Sequence, residues 1–280
     1  MSALKLCNYE GRASLDRDGR VIDVERRSGG TFSADPMAAL ARWDEFQSWA
    51  DAQQAQDRDP QLDPARLGPC VPRPGQLFAI GLNYRDHAKE ANLQIPEQPM
   101  VFTKFQGCLG GARASIELLS DTVDYEVELV VVIGKTAHRV SAANALEHVA
   151  GYCIGQDISD RRLQFASVPP QFSLAKSSPN FGPIGPALVA RKDVPSTALA
   201  LHCDVNGERR QNGSTADMIF PVPVLIEYLS RRCVLSPGDI LFTGTPSGVG
   251  SVRNPKVYLK PGDVIRSEIT GLGVLENRCV

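Results

Sequence analysis

The sequence predicts an α+β fold that is mostly β, with a small N-terminal α+β domain at residues 1–70 and a larger domain at residues 71–280. Many short runs rich in β-branched and aromatic residues lie between Gly- and Pro-containing turns, which predicts strands. Few segments show the helical spacing of apolar residues, and those segments are short. A polar, Pro-rich stretch at residues 53–74 is typical of a linker and places the domain boundary near residue 70.

The N-terminal part combines strands with a helix. Alternating residues around Glu10-Gly11 and Asp18-Gly19 predict short antiparallel strands across residues 4–24. Asp35 can cap a helix whose apolar residues recur every three or four positions as far as residue 50. The two tryptophans of this helix are interpreted as packing residues.

The larger domain repeats one turn. Pro-Gly pairs at residues 74–75, 237–238 and 261–262 each precede an apolar run, which predicts type II turns that open strands. Further strands are predicted at residues 199–205, 257–259, 264–269 and 274–278, and short helices at residues 142–149 and 223–232.

Composition excludes several classes of function. Thirty basic residues balance thirty-two acidic ones for a net charge of −2, so the chain has no electrostatic footprint for nucleic acid. No apolar run approaches the roughly 20 residues of a membrane helix and no signal-peptide pattern opens the chain, so a soluble, cytoplasmic protein is expected. The seven cysteines lack the spacing of a zinc site or a disulfide framework.

Acidic residues in two apolar strands predict a metal site. Asp124, Glu126 and Glu128 alternate along one face of a strand at residues 124–134, where buried carboxylates need protons, ion partners or a bound cation. Asp157 ends another apolar strand and is the natural third ligand for Glu126 and Glu128, with Asp124 further out toward the rim in a structural role. Three carboxylates suit Mg²⁺ or Mn²⁺, with Ca²⁺ as an alternative. The competing interpretation is a solvated edge strand.

His87 and Glu90 form a candidate general-base dyad. At positions i and i+3 of a helix, the carboxylate can orient the imidazole and raise its basicity. An ordinary surface pair is the alternative. The Pro-containing residues 91–99 that follow could act as a lid over the site.

Three basic side chains and one Gly-rich loop are further candidates for contacts with an anionic ligand. Lys104, Arg161 and Lys176 could each contact an anion, with a plain surface charge as the alternative, while Asp160 is interpreted as a solvated turn residue. The Gly-rich residues 242–250 lack the Gly-Lys-Ser/Thr ending of a phosphate loop. Their amides could approach a small anionic ligand, or the segment could be a tight turn.

Together these segments resemble the fumarylacetoacetate hydrolase superfamily, in order from about residue 70 to the C-terminus. The resemblance is carried by Gly81-Leu82-Asn83-Tyr84 with His87 and Glu90, Asp124-Tyr125-Glu126-Val127-Glu128-Leu129, Gly151-Tyr152 with Asp157, Arg161 and Gln164, Lys176-Ser177, Arg210-Gln211 with Asp217-Met218-Ile219-Phe220, and Pro237-Gly238-Asp239 with residues 243–250. The N-terminal segment resembles, more weakly, the small appended domain of many bacterial members.

The resemblance implies a mixed β-roll, usually in a homodimer, with a divalent metal, usually Mg²⁺, on Glu126, Glu128 and Asp157. It also implies that His87 and Glu90 activate water. The remaining expected site residues are the catalytic Lys176 and the substrate contacts Arg161, Gln164, Thr245, Lys104 and Gln211.

Two departures concern the substrate. Arg162 and Pro179 stand where many members carry an acid, so substrate size and charge are expected to differ from the common cases. No fourth metal carboxylate lies near His87 in the sequence, which favours the smaller acylpyruvase-like members.

The expected function is therefore Mg²⁺-dependent hydrolysis of a carbon–carbon bond in a 2,4-dioxo acid of the acylpyruvate type. The metal would stabilise the departing pyruvate enolate, and Lys176 and the loop of Thr245 would neutralise developing negative charge. Oxaloacetate decarboxylation and isomerisation of a hydroxymuconate-type diacid are the alternatives. A non-catalytic, metal-bound scaffold is an alternative of another class.

Overall fold

The computed structural model describes residues 2–195 and 197–280. The strands are β1 (Lys5–Tyr9), β2 (Arg12–Arg17), β3 (Arg20–Asp23), β4 (Leu77–Gly81), β5 (Met100–Thr103), β6 (Leu109–Gly110), β7 (Val123–Asp124), β8 (Val127–Ile133), β9 (Val149–Gln156), β10 (Ser159–Asp160), β11 (Gly182–Ala190), β12 (Ala200–Val205), β13 (Glu208–Ser214), β14 (Ile240–Phe242), β15 (Val264–Ile269) and β16 (Gly273–Arg278). The predicted α+β, mostly β class is confirmed.

The α-helices are short. They are α1 (Val24–Arg27), α2 (Pro36–Ala41), α3 (Trp43–Asp51), α4 (Arg85–Glu90), α5 (Arg161–Gln164), α6 (Phe172–Ala175) and α7 (Val222–Ser230). Single 3₁₀ turns cover Pro64–Arg66, Gln106–Cys108, Ala145–His148, Arg191–Asp193, Thr215–Asp217 and Gly250–Val252. No described helix has both the length and the apolar character needed to cross a membrane.

A ten-stranded mixed sheet forms the framework. Its order is β3-β2-β1-β11-β9-β8-β14-β4-β5, with β6 paired to β11 off this path. The pairs β4–β14 and β6–β11 are parallel and the other pairs are antiparallel. The three N-terminal strands extend this sheet because β1 pairs with β11, while a domain boundary near residue 70 stays a prediction.

A second, four-stranded sheet with the order β13-β12-β15-β16 covers the first. Its β12 and β15 pack against β8 and β9, so all seven residues of β8 are buried. This explains the continuous apolar run that the sequence shows there. Each fully buried Val, Leu or Ile side chain contributes roughly 1.5–3 kcal/mol to the free energy of unfolding.

Most predicted elements form, and two do not. Asp35 accepts a hydrogen bond from the Met37 amide and caps α2, as predicted. The helix predicted at residues 142–149 was wrong, because Val149 pairs with Ile133 and begins β9, which leaves one 3₁₀ turn before it. The strand predicted at residues 257–259 is also absent, since these residues are irregular in the described chain.

Two of the three Pro-Gly pairs have the positive φ at glycine that a type II turn requires. Gly238 and Gly262 have φ of +88° and +92°, and they precede β14 of the large sheet and β15 of the smaller one. The type II turn predicted at Gly75, before β4, was wrong, because Gly75 does not have a positive φ. Because β14 runs parallel to β4 and antiparallel to β8, the end of β14 lies beside the end of β4 and the start of β8. The candidate site lies at this end of the sheet.

Candidate metal and substrate site

Three predicted metal ligands converge where β8 begins and β9 ends. Glu126, Glu128 and Asp157 each offer a carboxylate oxygen within 4.8 Å of the others, and all three residues are buried. The pairing that brings Val127 opposite Gln156 causes this, because Glu126 and Asp157 directly flank the pair. The Asp157 amide donates to the Glu126 carbonyl at 2.9 Å, which continues the β8–β9 hydrogen-bond ladder by one more pair.

Cationic side chains neutralise part of this acidic cluster. Lys176 Nζ donates to Glu126 Oε2 at 2.8 Å and to Asp157 Oδ2 at 2.6 Å. Arg161 Nη2 donates to Glu126 Oε1 at 2.6 Å. Burial alone would lower the pKa of Lys176, but Asp157 and Glu126 together raise it above its ordinary value, so this lysine is charged.

The two glutamates differ in their electrostatics. Burial alone would raise the pKa of Glu126, but Lys176 and Arg161 more than offset this, and the pKa falls to about 2. Burial, reinforced by the charges of Asp157 and Glu126, raises the pKa of Glu128 well above its ordinary value. Glu128 is therefore the carboxylate of the cluster that lacks a cation.

The donor set fits a hard divalent cation. The connected network holds four carboxylates and three cations, namely Asp124, Glu126, Glu128 and Asp157 with Lys104, Arg161 and Lys176. With all four carboxylates ionised, one negative charge is left over in a buried site, which is unfavourable and is consistent with the raised pKa of Glu128. A bound Mg²⁺ or Mn²⁺ would change this to one positive charge, which suits an anionic substrate.

Asp124 has a structural role, but not at the rim. Its side chain is fully buried, and it accepts hydrogen bonds from the amides of Gly250 at 2.7 Å and Ser251 at 3.0 Å. Arg161 donates to Asp124 through Nε and Nη2 at 3.0 and 2.8 Å. The expected rim position was wrong because the loop that ends at Gly250 folds over this carboxylate.

Asp160 is also more buried than predicted. Its carboxylate accepts hydrogen bonds from the amides of Arg162 and Leu163 and caps α5, and Ser120 Oγ donates to it at 2.8 Å. The interpretation as a solvated turn residue was wrong. The capped helix directs Arg161 and Gln164 toward the cluster.

The Gly-rich loop, defined as residues 243–250, binds the protein's own carboxylates. The amides of Gly244, Gly248 and Gly250 donate to Glu128, Glu90 and Asp124, respectively. These amides are therefore not free to approach a ligand, contrary to one of the two interpretations. At Gly248, with φ of +104°, a Cβ would lie 2.1 Å from the Arg210 carbonyl oxygen, so only glycine fits.

The two residues of the predicted dyad lie on α4, but no hydrogen bond joins their side chains in the described chain. His87 Nδ1 is 3.5 Å from Glu90 Oε2, and the His87 side chain lines the same cavity as the three carboxylates. Both Glu90 oxygens accept from the Gly248 amide, at 3.1 and 2.9 Å. Asp86, which the sequence did not single out, accepts from Ser247 Oγ at 2.7 Å and ties α4 to the Gly-rich loop.

A cavity of about 210 Å³ connects the triad to the surface. Gln164 and Thr245 line it as expected, and so do Ala91 and Leu93 of the predicted lid. Sequence reasoning missed its apolar wall, because the residues come from separate segments whose meeting no local pattern reveals. The wall includes Leu82, Met100, Phe102, Phe165 and Phe172.

Lys104 and Gln211 do not line this cavity. Lys104 Nζ donates to Asp157 Oδ1 at 2.6 Å, to the Phe181 carbonyl at 3.3 Å and to the Lys176 carbonyl, so all three of its N–H groups are used. Gln211 supports Thr245, to whose Oγ1 it donates at 2.7 Å. The geometry thus gives both residues positioning contacts instead of the expected substrate contacts.

A larger groove of about 560 Å³ lies among the N-terminal strands and contains no member of the triad. Four of its five arginines pair with acids of the described chain, and the exception is Arg58. Arg12 pairs with Asp23, and Arg27 pairs with Asp59. We therefore assign the chemistry to the smaller cavity.

Replacing Lys104 with methionine should lower the free energy of unfolding by about 3–5 kcal/mol, because Asp157 loses a buried counterion and two carbonyls lose a donor. Urea denaturation of the metal-free protein measures this. Lys135→Met is the control, since the Lys135–Asp44 pair is exposed and contributes at most about 1 kcal/mol. Equal losses in the two variants would contradict the positioning role.

Comparisons with known proteins show which family the chain belongs to. The family model described as fumarylacetoacetate (FAA) hydrolase C-terminal matches residues 76–280. The mitochondrial oxaloacetate tautomerase FAHD2B of Bos taurus is 42% identical over 79% of this chain and 71% of its own length.

Two solved structures show the same fold. A protein from Mycobacterium smegmatis matches with a TM-score of 0.93, 45% identity and 99% coverage of both chains. The fumarylpyruvate hydrolase of Pseudomonas aeruginosa, in complex with Mn²⁺ and pyruvate, matches with a TM-score of 0.66, 30% identity and coverage of 81% of this chain and 93% of that one. The chain therefore belongs to the fumarylacetoacetate hydrolase family.

Proposed function

We propose that this protein hydrolyses the bond between C3 and C4 of a 2,4-dioxo acid of the acylpyruvate type. The observation that carries the proposal is that one cavity joins a buried carboxylate triad with a separate histidine base. Hydrolysis of this bond needs both a site for the 2-oxo acid end and a base for water. A divalent ion on Glu126, Glu128 and Asp157 would supply Lewis-acid chemistry for the oxygens of the 2-oxo acid.

The dyad handles the proton of the attacking water. His87 would accept this proton as hydroxide adds to the C4 carbonyl, and Glu90 would stabilise the imidazolium from 3.5 Å. When the C3–C4 bond breaks, its electron pair stays on C3 of the pyruvate part as an enolate. His87 would return its proton to C3, so that a carboxylic acid and pyruvate leave.

Donors near the triad hold the substrate. Lys176 uses two of its three N–H groups on Glu126 and Asp157, so one N–H remains for a substrate oxygen. Gln164 accepts from Arg161 through Oε1, and its amide nitrogen donates to no described residue. Thr245 already donates to the Val127 carbonyl, so we assign it a positioning role beside these donors.

The relatives support 2-oxo acid chemistry, and one of them supports oxaloacetate tautomerisation as a second candidate function. The P. aeruginosa fumarylpyruvate hydrolase was solved with Mn²⁺ and pyruvate, the product of the proposed reaction. The bovine relative is an oxaloacetate tautomerase, and the same dyad could move a proton between C3 and the 2-oxo oxygen of oxaloacetate. Isomerisation of a hydroxymuconate-type diacid is also represented among the similar solved structures. Decarboxylation of oxaloacetate and a metal-bound scaffold lack an observation of their own.

One assay series separates the candidates. Purified protein with Mg²⁺, Mn²⁺ or chelator is given acetylpyruvate and, separately, oxaloacetate. The proposal expects pyruvate and acetate from acetylpyruvate, and loss of this reaction with chelator. Tautomerisation of oxaloacetate without any cleavage of acetylpyruvate would refute the hydrolase proposal and support the tautomerase candidate. Inertness toward both substrates would support the metal-bound scaffold.

We further propose Mg²⁺ as the resident ion, a homodimer and a cytoplasmic location. The dimer is supported by β5, an edge strand of the large sheet on which Met100 and Val101 are exposed. An exposed apolar edge strand is a ready pairing surface.

A further inference from the structure

The donors that remain free belong to side chains that contact the triad or its arginine. Lys176 and Arg161 each keep one N–H, and Gln164 keeps its amide nitrogen. Apart from the triad and His87, Arg161 and Lys176 are the charged side chains that line the cavity within the described ranges. Both cations are already paired with acids.

Much of the cavity lining is apolar. Phe102 and Phe172 pack against each other with ring centroids 5.5 Å apart, and Leu82, Met100 and Phe165 line the cavity beside them. Lys176 is the cation beside this apolar wall, with its Nζ 5.4 Å from the ring centroid of Phe102, and it is already paired with Glu126 and Asp157. A carboxylate placed against this wall would lose water and would have to compete with these two acids for the lysine.

The charge balance leads to the same conclusion. With a divalent ion, the four carboxylates and three cations of the network leave one positive charge. The carboxylate of the 2-oxo acid neutralises it. A second carboxylate on the substrate would make the buried site negative again.

From the apolar wall and this charge balance, we infer that the substrate is a monocarboxylic 2-oxo acid whose tail beyond C4 is uncharged and apolar, and that diacids are disfavoured. The inference rests on the proposed function, since it names the substrate class of that site. It assigns Phe165 as a residue that determines specificity at the cavity mouth. Phe165 is 61% exposed, so solvent can still reach a charged tail, and the discrimination is limited to about 10- to 100-fold.

The test uses two inert ligands of equal chain length, 2-oxohexanoate and 2-oxoadipate, which differ by one terminal carboxylate. Calorimetry on the Mg²⁺-loaded protein should give a dissociation constant at least about tenfold lower for 2-oxohexanoate. Equal affinities, or tighter binding of 2-oxoadipate, would overturn the inference.

A matched pair of variants tests the role of the wall. Phe165→Arg should lower the dissociation constant of 2-oxoadipate by about tenfold, because it adds a cation at the mouth of the cavity. The preference for 2-oxohexanoate over 2-oxoadipate should therefore shrink. Val168→Arg is the control, because it makes the same charge change on the same loop at a residue that is 98% exposed and does not line the cavity. This variant should still bind 2-oxohexanoate more tightly than 2-oxoadipate. Equal changes in both variants would show that general charge, not the wall, sets the preference.

These binding results are independent of catalysis. A preference for 2-oxohexanoate without cleavage of any acylpyruvate would support the inference and refute the hydrolase proposal. Cleavage of acylpyruvates with no preference between the two ligands would do the opposite.

Discussion

Replacing His87 with glutamine should lower kcat for acylpyruvate hydrolysis by about 10²–10⁴-fold, the usual contribution of a positioned general base. Glutamine preserves approximate size and polarity but cannot accept a proton from water at neutral pH. Because His87 is not among the three candidate metal ligands, the affinity for Mg²⁺ should stay within about twofold of the wild type. Steady-state kinetics and metal titration measure the two effects.

The control for this variant is His138→Gln, which changes an exposed histidine outside the cavity and should leave kcat unchanged. Glu90→Gln should give a smaller loss than His87→Gln, since Glu90 acts on the water only through the imidazole. Full hydrolysis by the His87 variant would refute the mechanism.

Replacing Glu128 with glutamine should separate stability from metal binding. At a Mg²⁺ concentration of about 100 Kd, the wild type gains about 2.7 kcal/mol of unfolding free energy, and the variant should gain almost none. The metal-free variant should be at least as stable as the metal-free wild type, because it removes the buried carboxylate that has no cation. Thermal unfolding with and without Mg²⁺ measures both results.

The pH dependence of the metal-free protein follows from the same residue. Since the folded protein holds the Glu128 proton more tightly than the unfolded chain, its unfolding free energy should fall as pH rises from the ordinary pKa of 4.5 through the raised pKa. The variant should lose this part of the pH dependence. Glu147→Gln, at an exposed site, is the control, and an unchanged Mg²⁺ effect in Glu128→Gln would exclude this residue as a ligand.

The triad was predictable because it depends on two local patterns. Glu126 and Glu128 alternate at the start of an apolar strand, and Asp157 ends another. When two such strands pair in an antiparallel register, the start of one lies beside the end of the other. The pairing of β8 with β9 brings the three acids together in this way. The helix at residues 142–149 failed because the pairing of Val149 with Ile133 overrides local propensity.

The roles of the lysines were harder to predict. The sequence favours Lys176 over Lys104 as an anion contact, because apolar residues precede it and a Gly/Pro-rich segment follows, but it does not show what either lysine binds. They differ in how many N–H groups the fold uses, three for Lys104 and two for Lys176, and this count depends on carbonyls from distant segments. The apolar wall was missed for the same reason, since its residues share no local period.

The Gly-rich loop links two functions that the sequence places far apart. Its amides hold Glu128, a candidate metal ligand, and Glu90, the partner of the base, on one short backbone segment. The positions of both carboxylates therefore depend on the length of this segment. An insertion or deletion here would move the candidate metal ligand and the partner of His87 at once, whereas a substitution in the apolar wall removes none of these hydrogen bonds.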